Sequence, residues 1–157
     1  MFRPLRRKKQ EIGSDRCREI LRAGKRGVLS LVGDDGYPYG VPIDYVYDEE
    51  DNALLFHCAK EGHKIDAIRR CDKASFCTAT RRQESGEWFF RYESVIVFGR
   101  MTIVEGEEMK RKICDALCDA FGQGQSYKDD EWIKFGKNVQ AMRLAIEHVS
   151  GKSVKEE

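Results

Sequence analysis

LLFHCAKEGHKIDAIRR, residues 54–70, decides the reading of this chain. Leu54, Leu55 and Phe56 form an apolar run short enough for a strand, and Gly62 then interrupts the chain. From His63 the period changes. Ile65, Ala67 and Ile68 share one helical face, while Lys64, Asp66, Arg69 and Arg70 stay polar. The stretch therefore predicts a strand, a short turn and a helix. The helix starts oddly. A helix N-terminus carries partial positive charge and unpaired N–H groups, so acidic side chains are favoured there. His63 and Lys64 occupy the first turn instead, which costs roughly a few tenths of a kcal/mol unless an anion sits among them. A phosphate would draw the cations and the N–H groups onto one ligand. Two solvated side chains screened by Glu61 and Asp66 would give the same pattern.

Before this unit the chain reads as strands. Residues 27–32 (GVLSLV) and 38–47 flank the turn signal Asp34-Asp35-Gly36. In the second strand Tyr39, Val41, Ile43, Tyr45 and Tyr47 fall on one face, and Gly40, Pro42, Asp44 and Val46 on the other. Pro42 cannot donate to a ladder, so it fits an edge, a bulge or a place where a ligand lies along the strand. Gly40 would allow close approach there. Residues 14–23 predict a short helix with Gly24 as its stop, and 48–52 (DEEDN) an acidic turn.

After the unit, residues 74–80 predict a fourth strand, 81–87 a polar loop, and 88–105 a long strand in which Gly99 marks a bend. Residues 106–121 predict the strongest helix, with Met109, Ile113, Ala116, Leu117, Ala120 and Phe121 as its core stripe. Residues 129–135 predict one or two helical turns, with Trp132 and Phe135 packing, and 139–149 a last strand. About six strands joined mostly by hairpins, with helices at the periphery, favour a mainly β single domain built on a small antiparallel barrel.

The length of 157 residues suits one domain that folds without metal or disulfide. A formal net charge of +1, from 28 basic and 27 acidic residues, does not announce a nucleic-acid binder. The basic residues crowd the first 13 positions, as Arg3, Arg6, Arg7, Lys8 and Lys9. This arm lacks interleaved aromatics and reads as solvated or as wrapping a partner subunit. Contact with nucleic acid through it ranks last. No apolar run approaches a membrane span and no apolar segment follows the basic start, so the expected location is the cytoplasm. The six cysteines, with no CxxC pair, then read as free thiols. No metal site is expected: His57 and Cys58 are adjacent on a strand and point to opposite faces.

The ordered set RRKKQEI (6–12), VLSLVGDDGYPYGVPIDYVY (28–47), LLFHCAKEGHKIDAI (54–68), RYESVIVFGRMTIVE (91–105) and RLAIEHVSGK (143–152) resembles the pyridoxamine phosphate oxidase superfamily of flavin-binding split barrels. Within that superfamily it is most similar to the nitroimidazole-resistance branch. The resemblance implies a six-stranded antiparallel split barrel that forms a homodimer, with FMN bound in grooves between subunits. Val41, Pro42, Ile43 and Asp44 would run along the cofactor, with His57 and Cys58 beside it. His63 and Lys64 would hold its phosphate, and Tyr92 and Ser94 would reach it from the other subunit. A histidine at the position of His57 is implicated in the chemistry of the resistance branch. The oxidases proper carry Ser-Arg-Lys where this chain has Gly62-His63-Lys64. That difference implies weaker, pH-sensitive phosphate binding if His63 is a direct contact. No basic patch for a second phosphate stands near the C-terminal RLAIEHVSGK, which points away from pyridoxamine phosphate as substrate.

The function implied is an FMN-dependent oxidoreductase acting on small planar compounds such as nitroaromatics. No GxGxxG segment is present, so a donor such as NAD(P)H would bind transiently over the flavin. The alternative is a flavin- or haem-binding protein without turnover, with His57, His63 and His148 as the candidate axial ligands.

Overall fold

One bend in the chain joins the two ends of the sheet. The alternating segment that begins at Pro38 breaks at Tyr45, so the expected single strand becomes two, β3 (Pro38–Asp44) and β4 (Val46–Asp48). Tyr45 turns its ring into the core. Its hydroxyl donates to the Leu21 carbonyl at 2.9 Å, its backbone N–H donates to the Lys25 carbonyl at 3.0 Å, and its ring meets Phe76 edge-on at 4.7 Å. Burial pushes its phenol up to about 12. β3 pairs with β2 (Arg26–Val32), and β4 pairs with β5 (Ala53–Ala59).

These structural relations come from a computed structural model that describes residues 2–83, 86 and 88–156. The remaining elements are β1 (Glu11–Ile12), α1 (Ser14–Ala23), α2 (His63–Arg70), β6 (Lys73–Arg82), β7 (Phe90–Ile103), α3 (Glu107–Ala120), α4 (Gln125–Phe135) and β8 (Val139–Glu156). The sheet runs β3-β2-β6-β7-β8-β5-β4, with β1 added to β8, and every pairing is antiparallel. Its two end strands are therefore consecutive pieces of one segment, and the sheet curls toward closure. Phe56, Phe76, Val95, Val97, Met142 and Leu144 fill the interior. α1 adds Cys17, Ile20 and Leu21 to this core, and α2 adds Ile65, Ala67 and Ile68. Arg16 on α1 donates twice to the buried Glu93 carboxylate of β7, from Nε at 3.2 Å and Nη2 at 2.5 Å.

The sheet has eight strands rather than six. One extra strand is made by the break at Tyr45. The other is β1, part of the basic arm, which pairs Glu11 with Lys152 and Ile12 with Gly151. The arm is held at its start as well, where Phe2 stacks on His148 at 4.7 Å. β8 runs past the expected end at 149, because residues 150–155 pair with β7 and the backbone at Gly151 lies against Ile12 and Cys17. The bend expected at Gly99 is a register shift between Phe98 and Gly99. A Cβ on Gly99 would lie 2.0 Å from the Ala145 carbonyl oxygen.

α3 is turned relative to the expected stripe. Lys110, Ile113 and Leu117 are its buried residues, whereas Met109 and Phe121 are exposed. The buried Lys110 is covered by Trp132 of α4 and pairs with Glu107. α4 starts at Gln125, earlier than expected. In the polar loop expected over 81–87, β6 continues to Arg82, and residues 84, 85 and 87 lie outside the described residues. Among the described residues no helix is long and apolar enough to cross a membrane, and all six cysteines are free thiols.

Candidate functional site

β5 carries His57 and Cys58 to the edge of the barrel. Its first four residues are buried, and the burial ends abruptly at His57. The chain then turns at Gly62, whose φ of 123° lies in a region open to glycine, and enters α2. Nothing on a side chain caps α2, so its first N–H groups stay available. The result is a groove of about 460 Å³ lined by Ile43, His57, Cys58 and Lys64, with Phe135, Asn138 and Val139 opposite. Four of the residues named from the sequence thus meet around one space.

The electrostatics of the groove are uneven. Lys64 makes no ion pair among the described residues. Burial pushes the Cys58 thiol up, with Lys64 pulling weakly the other way. Cys58 Sγ instead donates to the Ala59 carbonyl at 3.1 Å. The His57 ring is open on one side, yet the protein packed around it lowers its pKa below the ordinary histidine value, against a small upward pull from Asp44. His57 is therefore neutral at pH 7 and offers one N–H and one lone pair. Asp44 is itself held by Arg26, whose Nε donates to it at 2.6 Å.

His63 takes another direction. Its ring stacks on Tyr39 at 4.0 Å, and its Nε2 lies 3.8 Å from the Asp34 carboxylate. Asp34 is also bound by Arg70 at 2.5 Å, and that guanidinium holds its carboxyl below the usual range. The backbone of Gly33 closes against the same ring. His63 thus faces the turn between β2 and β3, while its neighbour Lys64 faces the groove.

Of the β3 residues named from the sequence, Ile43 lines the groove. Val41 packs against the core, and Pro42 is exposed on the sheet's end strand. Tyr92 and Ser94 lie on the outward face of β7, away from this groove. Phe135, Asn138 and Val139 were not singled out as site residues. Phe135, an aromatic expected to pack, is instead 55% exposed at the end of α4. Among the described residues no group of three or more His, Cys, Asp or Glu side chains is placed to hold a metal ion.

A sheet curled in this way, with helices at its rim, is a split β-barrel. The family model described as Pyridoxamine 5'-phosphate oxidase matches residues 13–153, and the chain belongs to that family. Among solved structures it is similar to a protein provisionally assigned to 5-nitroimidazole antibiotic resistance from Bacteroides thetaiotaomicron, with 23% identity, a TM-score of 0.77, and 92% of this chain and 87% of that chain covered. An FAD- and haem-binding protein from Mycobacterium smegmatis shares 26% identity at a TM-score of 0.71, covering 92% of this chain and 73% of the other. An FAD-binding protein from Mesorhizobium loti shares 24% at a TM-score of 0.68, covering 92% and 97%. No curated protein matches the sequence.

Proposed function

We propose that this chain is a flavin-dependent oxidoreductase that binds FMN in the groove lined by Ile43, His57 and Lys64 and acts on small planar compounds such as nitroaromatics. The observation that carries the reading is the pairing, in one groove, of an uncompensated Lys64 at an uncapped helix N-terminus with the apolar wall of Ile43, Phe135 and Val139. Such a space suits a ligand with an anionic end and a flat apolar body. Lys64 and the first N–H groups of α2 hold the phosphate, and Ile43 borders the ring. The flavin supplies the electron transfer, from a donor such as NAD(P)H to the substrate. His57, uncharged and within the groove, orients the substrate and moves its proton. Family membership and the flavin-binding proteins of similar fold support the cofactor class.

The groove is open, and a second copy of the chain closes it. The outward face of the sheet supports a homodimer. Pro42, Val28, Cys77, Ile96 and Ser150 stand in one register row across it, with exposed Phe98 and Tyr92 beside them. An exposed apolar surface of this kind marks an interaction site. Tyr92 and Ser94 lie on that face, from which they reach the flavin of the other subunit. The six free thiols fit a reducing compartment, the cytoplasm.

A visible absorption spectrum of the purified protein, repeated after adding FMN and removing the excess, tests the reading. Flavin bands that stay with the protein are expected, and nitroaromatic reduction by a reduced nicotinamide follows as the assay. A Soret band would favour haem, with His57 as the one histidine that faces the groove. A colourless protein that fails to retain FMN would overturn the enzymatic reading.

A further inference from the structure

A second cavity adjoins the groove and shares His57, Phe135 and Val139 with it. It lies between α3 and α4 and reaches the start of β8. Its volume is about 300 Å³, at the lower end of the size range for small-molecule pockets, roughly 300–1,000 Å³. Trp132 and Tyr127 supply its aromatic walls. Trp132 is fixed by Lys110 and Arg111, which stand 5.6 Å and 5.3 Å from its ring centre. Arg111 also pairs with Asp129, and Lys128 with Asp119, which ties α4 to α3.

The charge inside this cavity does not cancel. Asp115 is neutralised by Arg111 at 2.9 Å, and Lys128 by Asp119 at 2.7 Å. Glu131 lines the cavity, is half-buried, and makes no ion pair among the described residues. The two thiols add no charge at neutral pH, since burial pushes Cys114 up to about 11 and raises Cys118 as well. One carboxylate therefore stands uncompensated beside an aromatic wall. A planar anion would meet Glu131 at a cost, whereas a cationic or N–H-bearing ring would gain a charge-assisted hydrogen bond.

We infer that this cavity holds the ring of the substrate and selects planar aromatics that carry a cationic or N–H-donating substituent, with Glu131 as the selecting residue and Trp132 as the wall. That the occupant is a substrate rests on the groove being the flavin site. The preference for positive charge is a property of the cavity alone.

Ligand-observed NMR with benzamidine, benzamide and benzoate, a cation, a neutral and an anion of nearly one shape, tests it on the protein as purified and after FMN loading. Benzamidine binding about tenfold tighter than benzoate, with benzamide between them, is expected. Glu131→Gln is expected to weaken benzamidine about tenfold and to leave benzamide within about twofold. Benzoate binding as tightly as benzamidine, or no binding of benzamidine, would overturn the inference. So would an unchanged benzamidine affinity in folded Glu131→Gln. Protein that cannot retain FMN but keeps the charge preference would sink the flavin reading and not the cavity. Flavin-loaded protein with no charge preference would sink the cavity reading alone.

Discussion

At the scale of the residue, His57 carries a pH signature. Its pKa in the folded chain lies below the ordinary value because surrounding protein desolvates the ring. The unfolded chain regains the ordinary value of about 6.5, so between the two it binds more protons than the folded chain. Stability from this group is therefore present above about pH 6.5 and is lost as pH falls through the folded value. Urea unfolding at pH 7.5 and 5.5 should show a larger loss in the wild type than in His57→Gln, and equal losses would contradict the assignment. The family resemblance implies a common site for Ile43, His57, Cys58 and Lys64; of these four only Lys64 also carries a local signal, a cation in the first turn of a helix. The direction of His63 was not legible. Its stacking on Tyr39 and its approach to Asp34 depend on where the turn between β2 and β3 packs, which no spacing along residues 54–70 encodes.

At the scale of the element, the register shift where β7 pairs with β8, with Glu147 of β8 as the extra residue, separates local from tertiary information. Gly99 was legible as a bend because glycine inside a β-branched run has few other uses. The reason the position tolerates no side chain is tertiary: the Ala145 carbonyl of β8 occupies the space. Gly99→Ala should lower stability by about 1–3 kcal/mol, the cost of forcing extra atoms into packed backbone. Denaturant melts of the two proteins measure it, and an unchanged midpoint would show that the bulge relaxes freely. The rotation of α3 was hidden for a similar reason. Its apolar periodicity admits more than one buried stripe, and the contact with Trp132 of α4 buries Lys110 and turns Met109 outward. The break at Tyr45 follows the same rule. Alternation alone continues the strand, whereas a buried hydroxyl that needs the Leu21 carbonyl ends it.

At the scale of the whole molecule, strand order decides what the groove contains. β5 pairs with β8, which sets Ala59 opposite Val139 and brings the end of α4 over His57. That pairing is non-local, so Phe135 and Asn138 joined the site unannounced by their own neighbourhood. The apolar row across the outward face predicts a dimer in solution. Sedimentation of the FMN-loaded protein should give twice the chain mass, and a monomeric mass with flavin fully bound would remove the argument for a groove closed between subunits.

The dissociation constant of FMN for the wild type and for Lys64→Ala, by flavin fluorescence titration, tests whether the groove beside α2 holds the cofactor. A charge-assisted hydrogen bond to the phosphate predicts a loss of about 1.5–3 kcal/mol. That loss corresponds to weakening by roughly one to two powers of ten. An unchanged constant in a folded variant would contradict the phosphate site at the start of α2, and with it the placement of the cofactor in this groove.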